Sequence, residues 1–162
     1  MNAELRSTPR QIALLIAFAG CLEGVALNAV SLLTGVLMGS VPAEGSVQRT
    51  PWGALLGVPV TAWALLVYLL MLLSLTRRHT PGFQSIAGVL GWVLLFTPAW
   101  FVSVQVLVLE RVCPFCLAAH LAGIAAGVGA IAVCKTSRSA PAMALILVFG
   151  MAIVQSFGSL GA

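Results

Sequence analysis

Residues 113–134 read CPFCLAAHLAGIAAGVGAIAVC, and this stretch decides the fold. A helix that crosses a bilayer needs about 20 predominantly apolar residues. The stretch meets that length, and His120 is its one strongly polar interruption. We therefore predict a membrane-spanning helix over 114–134 that begins at a pair of cysteines.

The composition of the whole chain has the same character. Of the 162 residues, 60% are hydrophobic and 7% are charged, against about a quarter charged in an ordinary soluble domain. The mean hydropathy of +1.10 spreads over the chain, so a water-soluble fold is excluded. The net charge of +4 does not indicate a nucleic-acid partner, because the basic residues stand between apolar runs rather than in one polar cluster.

Apolar stretches long enough to span a bilayer occur five times. They cover approximately 11–38, 58–76, 84–109, 114–134 and 141–158. We predict an all-α integral membrane protein with a single membrane domain over 1–162, in which the core helices lie within about 11–134 and an additional helix covers about 141–158.

The distribution of basic residues predicts the topology. Six of the eight lie before the first span, after the second or after the fourth, namely Arg6, Arg10, Arg77, Arg78, Lys135 and Arg138. Cytoplasmic loops carry the excess of Lys and Arg, so we expect a cytoplasmic N-terminus and an outer C-terminus. Loop 39–57 and the segment 110–113 then face the outer compartment, where disulfides persist.

The first outer loop contains the signals of a short helix. Thr50 is a suitable N-cap and Pro51 a suitable first helical residue. Trp52 prefers the membrane interface, and the sequence Gly57-Val58-Pro59 breaks the helix. We expect an interfacial half-helix of one or two turns; the alternative is an ordinary polar loop with one anchoring tryptophan.

The sequence Cys113-Pro114-Phe115-Cys116 carries the candidate chemistry. A cysteine at a helix N-terminus meets unpaired N–H groups and the positive end of the dipole, which favour the thiolate. The second sulfur returns beside the first across one turn, so a disulfide can open and close. The alternative is half of a zinc site, which would need two further ligands. His79 is predicted on the opposite side of the membrane, and His120 lies about two turns below Cys113.

His120 stands four residues after Cys116 and seven after Cys113, on one face of the predicted helix. Its imidazole would be placed to donate a hydrogen bond to a quinone carbonyl and to exchange a proton; the alternative is a histidine bonded to a neighbouring helix for packing. Gln105 lies at a depth where it would face the same pocket, and we rank it below His120. Glu23 and Asn28 are expected to bond across helices.

The remaining cysteines, Cys21 and Cys134, are expected to be small packing residues. The run from Phe18 to Cys21 partly imitates a lipoprotein cleavage site. The apolar stretch continues through Leu37, which favours a full span instead.

The order of these features resembles the bacterial vitamin K epoxide reductase family over roughly 11–134. The features are the half-helix with Thr50-Pro51-Trp52, then Gly57-Val58-Pro59, a span containing Tyr68, and Cys113-Pro114-Phe115-Cys116-Leu117. The resemblance implies a four-helix bundle around a quinone, with an additional helix in some members. It also implies that Cys113 exchanges disulfides with a partner thiol and that Cys116 lies against the quinone.

By this resemblance the chain would be a quinone-linked thiol–disulfide oxidoreductase of the bacterial inner membrane, in contact with membrane lipid. Ubiquinone or menaquinone would be the acceptor, and a thioredoxin-fold or other extracytoplasmic thiol protein the partner. The expected catalytic residues are Cys113 and Cys116, and the expected cofactor-binding residues are His120, Trp52, Thr50 and Gln105.

One departure from the family pattern leaves alternatives open. The family has two cysteines in the first outer loop, and the position eight residues before Trp52 is Glu44 here. No cysteine lies between Cys21 and Cys113, so thiol exchange would be direct or would use thiols of another protein. A non-catalytic membrane assembly or binding protein is the alternative. A small transporter is weaker, since no internal repeat relates two halves.

Overall fold

The computed structural model describes residues 8–37 and 50–160, and these residues are mostly helical. The α-helices in this part of the chain are α1 (Pro9–Leu37), α2 (Val60–Thr76), α3 (Pro81–Ser103), α4 (Pro114–Val133) and α5 (Ala140–Leu160). A π-helical segment, Val104–Val108, continues α3 without a break.

Within the described ranges, α1, α3, α4 and α5 are long and apolar enough to cross a membrane. The remaining helix, α2, has 17 residues, which at about 1.5 Å per residue is close to the shortest length that spans a bilayer. The prediction of an all-α, multi-spanning membrane protein is confirmed. The largest difference in a helix start is at α3, which begins at Pro81 rather than at 84.

The first four helices form a bundle, because α1 contacts α2 and α4, and α3 also contacts α2 and α4. Small residues bring α1 and α4 into backbone contact. A Cβ added at Gly20 would lie 2.7 Å from the carbonyl oxygen of Ala122, and one at Gly129 would lie 2.5 Å from that of Ala13. Such close approach is the usual way in which helices associate in lipid, where the hydrophobic effect does not drive them together.

The fifth helix lies outside this bundle and packs mainly on α3. Its buried face carries small residues, Ala144 and Ala152, together with Val148 and the amide side chain of Gln155. The indole Nε1 of Trp100 on α3 donates a hydrogen bond of 2.9 Å to Gln155 Oε1. Both helices are therefore joined by a specific polar contact as well as by packing.

The loop between α1 and α2, which the sequence predicts to be the first outer loop, is less helical than expected. Pro51–Gly53 forms one 3-10 turn, and Ala54–Leu55 then pairs with Val58–Pro59 as an antiparallel hairpin. Leu56 and Gly57 have φ angles of 55° and 76°, the left-handed conformation that a two-residue hairpin loop requires. This reversal ends the predicted half-helix after a single turn.

Thr50 occupies the N-cap position of the turn, and its side chain makes no capping hydrogen bond. Its carbonyl oxygen instead accepts a hydrogen bond of 2.8 Å from the N–H of Gly53. The rest of the predicted outer loop, including Glu44, lies outside the described residues.

The basic segments meet at one end of the bundle. Arg10 Nη2 donates to the carbonyl oxygen of Val133 over 3.1 Å, and the guanidinium of Arg77 lies 5.8 Å from the centroid of the Phe83 ring. Because α4 runs from Pro114 to Val133, the cysteine pair lies at the opposite end. Arg6 and Arg49 lie outside the described residues.

Candidate functional site

The two cysteines stand at the start of α4, where Cys113 is the N-cap and Pro114 the first helical residue. The backbone N–H of Cys116 donates to Cys113 Sγ over 3.3 Å. This contact places a hydrogen-bond donor on Cys113 Sγ, where it would stabilise a negative charge on that sulfur. No disulfide joins the two residues; Cys113 is 8% exposed, and Cys116 is half-buried.

A cavity of about 170 Å³ lies inside the bundle, below this end of α4. Its walls come from all five helices and from the hairpin, and they are mostly aliphatic or aromatic. The lining residues are Asn28, Leu55, Val60, Thr61, Trp63, Ala64, Val67, Tyr68, Val93, Leu94, Thr97, Pro98, Phe101, Gln105, Phe115, Cys116, Ala119, His120, Gly123 and Met151.

The cysteines divide between two environments. Cys116 lines the cavity, whereas Cys113 does not, and the two residues that precede Cys113, Arg111 and Val112, are exposed. One thiol of a pair separated by a single helical turn therefore faces the interior, and the other lies just beneath the surface.

His120 lines the cavity one turn below Cys116, as the helical spacing predicts. Its ring stacks on Phe101 of α3, with the ring centroids 5.8 Å apart and an angle of 23° between the planes. The stacking fixes the plane of the imidazole beside the open space, so a ring nitrogen can serve as a hydrogen-bond or proton-transfer group there.

Gln105 lies in the π-helical segment, where the N–H of Leu109 donates to the carbonyl oxygen of Val104. Gln105 Oε1 accepts a hydrogen bond of 2.8 Å from the N–H of Cys113. Its backbone oxygen accepts one of 2.9 Å from the N–H of Arg111. The side chain is 1% exposed, and its Nε2 has no hydrogen-bond partner among residues 8–37 and 50–160.

Tyr68 forms the floor of the cavity. Its hydroxyl donates to the carbonyl oxygen of Ala119 over 2.9 Å, and the side chain is 3% exposed. The ring lies between Gly24 and Gly123, since a Cβ at Gly24 would overlap ring carbons of Tyr68 and one at Gly123 would lie 2.8 Å from Oη. The two glycines thus make room for the ring.

The hairpin covers the opposite end of the cavity. Trp63 Nε1 donates to the carbonyl oxygen of Leu55 over 3.2 Å, and Leu55 lines the cavity. Trp52 packs against Trp100 with the ring centroids 6.1 Å apart, and the carbonyl oxygen of Trp52 accepts a hydrogen bond from Gln155 Nε2. These contacts fasten the loop to α2, α3 and α5.

Of the residues expected at a cofactor site, the structure brings His120 and Gln105 together with Cys116 around the cavity. Trp52 and Thr50 do not line it. They belong to the 3-10 turn before the hairpin that covers the cavity. Direct contact of Trp52 or Thr50 with a cofactor stays a prediction.

The sequence alone did not identify some of the lining residues. Asn28 faces the cavity, and its Nδ2 donates to the carbonyl oxygen of Gly24 within α1 over 2.8 Å, so the expectation that it bonds across helices is wrong. Thr61 and Met151 also line the cavity. A polar residue inside an apolar span was the available signal for Asn28 and Thr61, whereas Met151 carried none.

The other cysteines belong to the core, as predicted. Cys21 is 0% exposed and Cys134 is 7% exposed, and both pack in the central apolar cluster. Burial raises the pKa of the Cys134 thiol, although Arg78 and Arg10 act in the opposite direction. No group of three or more His, Cys, Asp or Glu residues in the described ranges is placed to hold a metal ion, so the zinc alternative lacks further ligands there.

Comparison with known proteins gives one match. A family model described as the vitamin K epoxide reductase family matches residues 11–131, which include α2, α3 and nearly all of α1 and α4. No curated protein and no solved structure matches the chain.

Proposed function

The chain belongs to the vitamin K epoxide reductase family, and from that premise we propose that it is a quinone-linked thiol–disulfide oxidoreductase of the membrane. The family is in general one of membrane oxidoreductases. The observation that carries the proposal is the division of the cysteine pair, with Cys116 in the cavity wall and Cys113 next to exposed residues of the outer segment.

The exchange step requires the oxidised pair. A thiolate of the partner protein attacks Cys113 Sγ in the Cys113–Cys116 disulfide, so that a mixed disulfide forms and Cys116 leaves as a thiolate. The second thiol of the partner then attacks the mixed disulfide. The partner departs with its own disulfide, and both cysteines of this chain are left reduced.

The cavity suits a quinone ring. Cavities of about 150 Å³ admit a benzene ring, and this one of about 170 Å³ is lined mostly by apolar groups. A bound ubiquinone or menaquinone would accept the two electrons and two protons as the cysteines return to the disulfide. Cys116 presents its sulfur to the cavity, and His120 holds a ring nitrogen there through which a proton can move.

We propose that the cysteine end of the bundle faces the extracytoplasmic side of a bacterial inner membrane. The support is the concentration of basic segments at the other end and the excess of Lys and Arg in cytoplasmic loops. A thioredoxin-fold or other extracytoplasmic thiol protein would then reach Cys113 directly, because no loop cysteine precedes it after Cys21.

That absence also favours a second candidate function, a membrane assembly or binding protein that keeps the bundle without catalysis. The two candidates differ in the redox behaviour of the pair. Alkylation after incubation of the reduced protein with quinone should leave Cys113 and Cys116 unmodified if they have formed a disulfide. A pair that stays fully alkylatable favours the binding protein.

The decisive experiment uses purified protein, a dithiol substrate and a soluble quinone. We expect Cys116→Ala to abolish quinone-dependent thiol oxidation, whereas Cys134→Ala at the other end of α4 retains it. We also expect the Cys113 thiol of Cys116→Ser to attack the disulfide of an oxidised thioredoxin-fold partner and to accumulate as a mixed disulfide, detected by intact mass, with the second partner sulfur released as a thiolate. Full activity in Cys116→Ala would refute the mechanism.

A further inference from the structure

The amide of Gln105 has only one possible orientation. The backbone N–H of Cys113 is a donor and lies 2.8 Å from the end of the side chain, so the amide oxygen must face it. The two N–H bonds of Nε2 must then point the other way. Oxygen and nitrogen of an amide are assigned by such a network, and here the backbone of Cys113 decides the assignment.

The nitrogen end is buried without a partner in the described part of the chain. A buried amide N–H that makes no hydrogen bond is costly, and such groups are rare enough in native structures to need a cause. The side chain borders the cavity, and the π-helical turn that carries it is a local feature often found at functional sites. Both observations indicate that the missing partner belongs to a ligand.

The other polar groups of the cavity wall do not supply that partner. The hydroxyl of Thr97 donates to the carbonyl oxygen of Val93 in its own helix, and Asn28 Nδ2 is bonded to Gly24. The remaining lining is largely apolar. A ligand with an acceptor oxygen on an otherwise apolar body would suit such a wall, and a quinone carbonyl has that character.

We propose that Gln105 is a two-ended positioning residue, in which Nε2 donates a hydrogen bond to a carbonyl oxygen of a quinone-class ligand while Oε1 holds the N–H of Cys113. This inference rests on the proposed function and assigns the group that recognises the acceptor. Because one planar amide makes both hydrogen bonds, the ligand and the backbone of the exchange cysteine are held relative to each other.

The test compares two ligands in two proteins. Menadione has two carbonyl oxygens, and 2-methylnaphthalene has the same ring system without them. Binding of each to the detergent-solubilised, oxidised protein is measured by isothermal titration calorimetry. Gln105→Met removes the amide at similar length, and Ser103→Ala is the matched control, because Ser103 is exposed on the same helix and bonds Ala99.

We expect Gln105→Met to weaken menadione binding by about fivefold to tenfold, the effect of losing one neutral hydrogen bond. Its affinity for 2-methylnaphthalene should stay within about twofold of the wild type, which also shows that the cavity is intact. Ser103→Ala should change neither affinity. If Gln105→Met does not yield folded protein, Gln105→Leu provides a second apolar replacement for the same measurement.

Equal losses for both ligands, or no loss for menadione, would overturn the role of Gln105. Oxidation of the reduced Cys113–Cys116 pair by menadione is followed in parallel in the wild type. If the pair is oxidised and the two ligands respond alike to Gln105→Met, only the role of Gln105 fails. If menadione neither binds nor oxidises the pair, the proposed function fails with it.

Discussion

Replacing Gly123 with alanine tests whether Tyr68 is fixed as the floor of the cavity. The added Cβ would lie 2.8 Å from Tyr68 Oη, closer than packed atoms allow. The backbone of α4 has little freedom to retreat, because its next glycine, Gly127, packs closely on α3: a Cβ there would lie 2.6 Å from the carbonyl oxygen of Gly91. The hydroxyl must therefore leave the carbonyl oxygen of Ala119.

The expected magnitude follows from three contributions. Losing the hydrogen bond of Tyr68 costs about 1 kcal/mol, and forcing a methyl group into a filled site costs roughly 2 kcal/mol. The greater helix propensity of alanine stabilises the folded state by about 1 kcal/mol. We expect Gly123→Ala to lower the free energy of unfolding by about 2 kcal/mol.

A double-mutant cycle with Tyr68→Phe isolates the contact. Phenylalanine keeps the ring and lacks Oη, so Tyr68→Phe alone should cost about 1 kcal/mol. In that background Gly123→Ala no longer meets the hydroxyl and keeps only the helix-propensity gain of about 1 kcal/mol, so the coupling should be about 3 kcal/mol. By contrast, Gly24→Ala overlaps ring carbons that phenylalanine retains, so Tyr68→Phe should not relieve it.

The assay is reversible unfolding in mixed micelles, followed by tryptophan fluorescence as the fraction of denaturing detergent rises. Gly150→Ala is the control, since a Cβ there has no neighbour within 4 Å. The proposed fixation of Tyr68 would be refuted if Gly123→Ala were as stable as Gly150→Ala. It would also be refuted if Gly123→Ala lowered the free energy of unfolding equally in the wild type and in Tyr68→Phe.

Two further substitutions test other walls of the site. His120→Leu should lower the turnover number with menadione by about 100-fold, the loss typical of a missing proton-transfer group. Dithiothreitol should still reduce the cysteine pair of this variant at the wild-type rate in stopped-flow mixing. An unchanged turnover number would contradict a role of His120 in proton transfer. Gln155→Leu removes the hydrogen bonds to the Trp52 carbonyl and the Trp100 indole, so it should lower the free energy of unfolding by about 2 kcal/mol in the micelle titration. Phe157→Leu, at an exposed position of the same helix, should leave the free energy of unfolding unchanged. If Gln155→Leu were as stable as Phe157→Leu, the hydrogen bonds of Gln155 would not stabilise the fold.

The transmembrane helices could be predicted because apolar length alone defines them, and the lipid solvent leaves few other solutions for the backbone. The arrangement within the loop between α1 and α2 could not be predicted. Thr50-Pro51 correctly indicated where a helical turn begins, and Gly57 indicated a break. Pairing of Ala54–Leu55 with Val58–Pro59 depends on Leu56 adopting a positive φ, a conformation that leucine seldom takes and that its identity does not indicate.

The residues of the site also differ in how far the sequence could place them. Cys116 and His120 could be placed together because α4 is a regular helix and the spacing of four residues puts them on one face. The depth of Gln105 could be predicted from its place in the span. Its direction could not, because the π-helical segment that sets it has no sequence signature. Asn28 and Thr61 come from other helices, and only the packing of the bundle brings them to the cavity.

The fifth helix contributes to the site although the family match ends at residue 131. The described part of the loop between α1 and α2 is one 3-10 turn and a hairpin with two residues in each strand, and so short a hairpin is unstable unless other elements support it. Gln155 supplies such support, because its amide bonds both the Trp52 carbonyl and the Trp100 indole, while Met151 on the same helix lines the cavity. We therefore infer that α5 stabilises the cover of the cavity, to which Trp63 of α2 and Trp100 of α3 also contribute.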